Sequence, residues 1–119
     1  MLVFREIQYF IGKSGRCYIK ECIDKLTLNQ KKKVAFVFLQ VKSQNIVPTK
    51  FLKKLKNANG LWEIRVEYSG NAFRFLGFFE ENNLIILNHA FTKKSQKIPK
   101  NEINIAKIRR EEYNEKKSL

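Results

Sequence analysis

Apolar and polar positions alternate most sharply in the second half of the chain. In LWEIRVEY, Trp62, Ile64, Val66 and Tyr68 alternate with Leu61, Glu63, Arg65 and Glu67, the period of two that marks a half-buried strand. After the turn SGN, the stretch AFRFLGFFE alternates again, with Phe73, Phe75 and Phe79 set against Arg74, Leu76 and Phe78. ENN makes another turn, and LIILNHAF reads as a third strand, more continuously apolar and so expected at the centre of the sheet. Three strands in succession joined by tight turns predict an antiparallel meander.

The first half has a different rhythm. Leu2 to Ile11 fits a partly alternating strand closed by the turn-like GKSG. Ile19, Ile23 and Leu26 recur at helical spacing and predict a short amphipathic helix. Thr27 followed by Gln30 forms a capping-box pattern, so a second helix is expected to start there despite the β-branched and aromatic residues of Val34–Val41. Val34, Phe38 and Val41 share one face of that helix. KFLKKLK, between Pro48 and the NANG turn, is compatible with a turn, an extended piece or a helical fragment. Beyond Pro99, KNEINIAKIRREEYNEKK predicts a terminal helix with Asn101 as N-cap and Ile103, Ala106 and Arg110 on one side. The order is strand-helix-helix-strand-strand-strand-helix: an α+β fold with a mostly antiparallel sheet and helices grouped on one face, in a single domain over residues 1–119.

The hairpin fixes more than topology. If Ser69 and Gly70 form a two-residue turn, Tyr68 pairs with Asn71 and Arg65 lies opposite Arg74. Trp62, Ile64, Val66, Phe73 and Phe75 then share the other face and pack on helices. Two arginines facing each other across a ladder repel unless something negative lies between them. Either Glu63 or Glu67 neutralises them, or the pair is a clamp for phosphate, which guanidinium binds bidentately.

Charge sharpens that choice. The chain has 24 Lys and Arg against 11 Asp and Glu, a net charge of +13 in 119 residues, which points to a polyanionic partner, nucleic acid before membrane surface. No apolar run is long enough to span a bilayer, and MLVFREIQYF carries charges inside its apolar stretch, so neither membrane anchor nor signal peptide is expected. Cys17 and Cys22 stand without a second pair and with one histidine in the chain, which argues against zinc and for free thiols in a reducing cytoplasm. Lys93, Lys94 and Lys97 project from the end of the third strand, near the arginine pair. With Phe78 and Phe91 as stacking surfaces, such a cluster suits single-stranded RNA better than a duplex groove. His89 is the side chain here with an unperturbed pKa near neutrality.

These residues resemble the RelE/ParE toxin superfamily, in particular its phage-derived, HigB-type branch. The resemblance rests on GLWEIR (Gly60–Arg65), the Arg74–Phe79 strand, the signature HAFTKKSQKIP (His89–Pro99) and the helix segment Ala106–Tyr113. It covers the second half of the chain closely; the first half agrees in element order and in KFLKKLKNANGLW.

The resemblance implies the toxin of a type II toxin–antitoxin pair, with a helix-turn-helix antitoxin as partner. The activity it implies is cytoplasmic cleavage of mRNA in the ribosomal A site, without metal or other cofactor and without a membrane. The ribose 2′-hydroxyl attacks the adjacent phosphate, leaving a 2′,3′-cyclic phosphate. By carry-over Arg65, Arg74 and Lys94 stabilise the phosphorane. His89 or Glu63 serves as base or acid, and the resemblance does not choose between them. Lys93, Lys97, Phe91, Phe78, Lys54 and Lys56 contact RNA. No tyrosine occurs in the signature, so a tyrosine acid would require Tyr113 to fold back. The alternatives are a ParE-like poison of DNA gyrase and a noncatalytic nucleic-acid-binding protein of prophage origin.

Overall fold

Ser69 and Gly70 turn the chain with φ of +50° and +83°, the paired left-handed geometry whose twist matches that of the flanking strands. A computed structural model describes residues 2–94 and 96–118; Ser95, inside the lysine-rich signature, lies outside them. The elements are β1 (Glu6–Tyr9), α1 (Tyr18–Asp24), α2 (Leu28–Ser43), β2 (Leu52–Lys54), β3 (Trp62–Tyr68), β4 (Asn71–Glu81), β5 (Leu84–Lys93) and α3 (Lys100–Lys117). They form the expected α+β fold: one sheet in the order β1-β5-β4-β3-β2, antiparallel except where β1 pairs with β5. The open stretch KFLKKLK resolves as an extended piece, supplying β2 at the sheet edge. The third strand of the meander, β5, is interior, but the middle position belongs to β4.

Helix α2 starts where its cap requires. Thr27 accepts from the Gln30 backbone and the Gln30 side chain accepts from Thr27 N, satisfying two amide donors that the first helical turn leaves open. Its inward residues Val34, Val37, Phe38 and Val41 pack on Ile64, Val66, Phe73 and Phe75, with Phe38 and Phe75 edge to face at 5.1 Å. Helix α3 does not join α2 on this face, contrary to the one-sided layer expected. Leu76, Phe78 and Ile86 point the other way, and α3 covers them through Ala106, Ile103 and Tyr113. The physical reason is that β4 and the start of β5 are apolar at both even and odd positions, so both faces need cover. Helix α3 begins two residues earlier than the Asn101 cap implied, at Lys100, with Pro99 as the residue before it; proline fixes the entry φ and has no amide to satisfy.

One irregularity positions the site. Leu76 pairs with His89 but Gly77 pairs with Leu87, leaving Asn88 as an extra residue on β5, a bulge that re-aims the side chains around it. Asn88 is fully buried and its Nδ2 donates to Ala106 O at 2.9 Å, tying the bulge to α3. Gly77 makes the crossing feasible. A Cβ there would overlap Ile86 O and lie 2.9 Å from Ile86 C and 3.0 Å from Leu87 Cα. Since these are backbone atoms held in a ladder, Gly77→Ala should destabilise by roughly 1–3 kcal/mol, the cost of over-packing a core, read as a lower urea midpoint at unchanged slope.

Candidate functional site

The hairpin register sets Arg65 directly across from Arg74, and Phe91 of β5 lies across from Arg74 on its other side. Because side chains alternate along a strand, Glu63, Arg65 and Glu67 of β3, Arg74 of β4, and Phe91 and Lys93 of β5 all rise from the α3 face of the sheet. Beyond the end of α3's cover, Arg65, Glu67, Ala72, Arg74, Lys93, Lys94 and Gln96 line an open cleft of about 480 Å³.

The arginine pair is held by both carboxylates that flank it. Glu63, 4% exposed, sits between the two guanidinium groups. Its Oε1 is 3.5 Å from Arg65 Nε and its Oε2 is 3.7 Å from Arg74 Nε. These are ionic contacts too long to be hydrogen bonds, and both Nε atoms and Glu63 Oε2 are buried without a hydrogen-bond partner among the described residues. Arg74, 2% exposed, donates from Nη1 to Phe73 O at 3.1 Å and from Nη2 to Glu67 Oε1 at 3.2 Å. Arg65 is partly exposed and donates from Nη1 to Thr49 O at 3.3 Å. The cleft lining carries four cations and one carboxylate; counting Glu63 behind it, two positive charges remain in excess. Burial, then the Arg74 charge, hold the Lys93 ammonium below the usual lysine range, opposed by Glu63 and Glu67.

His89 belongs to a different assembly. It is on the same face, but its ring turns to α3 rather than lining the cleft, stacked on Phe91 with centroids 5.6 Å apart. Its Nε2 is 3.2 Å from Glu102 Oε1 and its Nδ1 is 3.2 Å from Arg109 Nη1. Arginine can only donate, so Nδ1 must accept, and the proton sits on Nε2 facing the carboxylate. Arg109 also donates to the bulge carbonyl Asn88 O at 2.8 Å and lies 3.4 Å over the Tyr18 ring. With both nitrogens occupied, His89 ties β5 to α3 and is not poised to take a proton from a molecule in the cleft.

Burial, aided by Arg109, lowers the His89 pKa below its ordinary value against the opposing pull of Glu102. A depressed histidine leaves the unfolded chain binding more protons, so stability is intact above the unfolded value of about 6.5 and is lost as pH falls through the interval below it. The melting temperature should therefore drop as pH is lowered from neutral, and His89→Gln should flatten that part of the profile.

The remaining expected residues divide by register and burial. Phe78 offers no stacking surface: it is 5% exposed and meets Tyr113 edge to face at 5.4 Å, because it lies, with Leu76, on the part of β4 that α3 covers. The same contact keeps Tyr113 in the core and out of the cleft. Phe91 is half-buried beside His89. Lys54 pairs with Trp62 and so lies on the α2 side of the sheet, away from the arginines, and Lys56 is exposed in the turn beyond β2. Lys97 is exposed one residue past Gln96 and outside the lining of the cleft.

Lys53, not Lys54, is the β2 residue on the arginine face, as the partner of Glu63; the one-residue parity of a strand decides it. Glu102 and Arg109, the partners of His89, lie outside the residues expected from the sequence. Glu102, Ala106, Arg109 and Tyr113 follow i, i+4, i+7, i+11, and two charged residues in the stripe around a buried alanine were the available signal.

A glycine before an aromatic strand, an Arg-bearing hairpin and a basic strand end now share one architecture. The family model described as "Phage derived protein Gp49-like (DUF891)" matches residues 21–111. The chain belongs to this Gp49-like family of phage-derived proteins. The match runs from α1 into α3 and takes in every residue of the cleft, and the family is compatible with a toxin-like protein. No curated protein matches the Gp49-like chain. Among its described residues no helix is long and apolar enough to cross a membrane.

Proposed function

We propose that this Gp49-like protein is a HigB-type toxin that cuts mRNA on the ribosome by 2′-hydroxyl attack. The observation that carries the reading is the cleft itself: two opposed guanidinium groups, one of them almost wholly buried, beside two lysines on an adjoining strand end. Such an array stabilises the dianionic phosphorane that forms when the ribose oxygen attacks. Lys93 is the proton acceptor: it lines the cleft beside the arginine pair, where burial and the Arg74 charge push its pKa down. Its amine takes the 2′ proton; the phosphorus–oxygen bond to the 5′ side breaks; and Lys94, exposed in the same cleft, gives a proton to the leaving oxygen. Arg65 and Arg74 hold the phosphate oxygens. Glu63 acts as the buried counterion of the arginines and His89 as a brace, and neither moves a proton in this scheme.

Cleavage on the ribosome makes the site of action cytoplasmic and gives the net charge of +13 a role in docking on ribosomal RNA. A helix-turn-helix antitoxin is the partner that the toxin reading calls for. Primer extension on mRNA after brief expression tests it, with wild type beside Arg65→Ala and Lys94→Ala. Codon-phased cuts that disappear in both variants support the proposal. Intact mRNA with stalled replication would replace it with a gyrase poison, and harmless expression with a noncatalytic binder.

A further inference from the structure

The two carboxylates beside the arginine pair differ in one respect. Glu63 is sealed beneath the guanidinium groups, its side chain 5% exposed, whereas the Glu67 side chain is 65% exposed at the cleft rim. Yet Glu67 holds Nη2 of Arg74, at 3.2 Å, and the rest of that guanidinium is committed inward: Nη1 to Phe73 O and Nε toward Glu63. Arg74 is 2% exposed and still borders the cleft. A phosphate entering the cleft therefore meets Arg74 where the Glu67 carboxylate already sits.

We propose that Glu67 is a displaceable occupant of the phosphate position on Arg74, a specificity-determining carboxylate that an RNA strand must evict and that a small anion does not. This rests on the phosphate-site reading above and adds a residue to it. Glu67 is on a rigid strand, across from Ala72, but its side chain reaches from solvent, where a charge pair contributes modestly and is screened by salt. A polyanion with further contacts to Arg65, Lys93 and Lys94 displaces it, while a single phosphate gains too little. The carboxylate thus raises the threshold for binding and favours ligands with several phosphates in register.

The test compares wild type, Glu67→Gln and Arg65→Ala for binding of a short single-stranded RNA and of inorganic phosphate, across a salt series. Because Glu67 is exposed, Glu67→Gln should melt close to wild type. It should bind RNA about 5-fold tighter, the scale of one exposed charge pair. Its log–log salt slope should steepen by about 0.7, since one more cation is free to release a counterion from a single strand. Inorganic phosphate should bind measurably to Glu67→Gln and negligibly to wild type. Equal or weaker RNA binding by Glu67→Gln, with binding still lost in Arg65→Ala, would overturn the displaceable-carboxylate proposal and leave the phosphate site standing. RNA binding indifferent to Arg65→Ala would overturn both.

Discussion

Arg65→Ala should lower mRNA cleavage on purified ribosomes by about 10²–10³-fold, the loss typical of one preorganised group that stabilises transition-state charge. The fold should survive. Arg65 is the more exposed of the two opposed arginines, and Glu63 keeps its contact with Arg74 when Arg65 is truncated. Arg74→Ala is a poorer probe, because that side chain is almost wholly buried and its removal would also disturb the strand pairing. Arg65→Lys should recover only part of the rate, since an ammonium restores charge but not the planar fork that grips two phosphate oxygens. Single-turnover cleavage rates with a ribosome-bound message, alongside melting curves, decide the matter. A variant as active as wild type would remove Arg65 from the phosphate site.

Glu63→Gln should have its largest effect on stability. Removing one member of a buried ionic set costs about 3–5 kcal/mol because the other charges are left uncompensated. Here the lower end is expected, since Glu67 still engages Arg74 from the opposite side. With Gln at position 63 the opposed guanidinium groups face each other across the ladder without the carboxylate that now separates them. An anion can take over that duty. Adding phosphate or sulfate should raise the melting temperature of Glu63→Gln more than that of wild type, as expected when a ligand binds the folded state. Equal shifts in both proteins would show that Glu63 does not balance the arginines.

The sheet was legible because its information is local. Alternation from Trp62 to Phe79 and the Ser69–Gly70 turn fix a register in which Arg65 must face Arg74, and that register is the one observed. The cap at Thr27 was readable for the same reason, since its partners are three residues apart. What escaped depends on long-range placement. Whether α3 covers the same face as α2 is decided by which side of β4 remains apolar, and both sides qualify. The role of His89 turns on Arg109, twenty residues away, and on a bulge at Asn88 that no periodicity announces. The difference between Lys53 and Lys54 is one residue of parity in a strand of three, too short for its own pattern to declare a phase.

The parallel pairing of β1 with β5 carries a consequence for how the molecule comes into being. Glu6 has its partner at Leu84 and Tyr9 at Leu87, so β1 has no neighbour in the sheet until β5 has followed. The α2 layer and the meander can assemble from contacts close in sequence, but the sheet closes only across a loop of most of the protein's length, a slow step by its topology. During synthesis, then, β1 waits, and the sheet closes when the last strand of the meander reaches it, with α3 still to cover the other face.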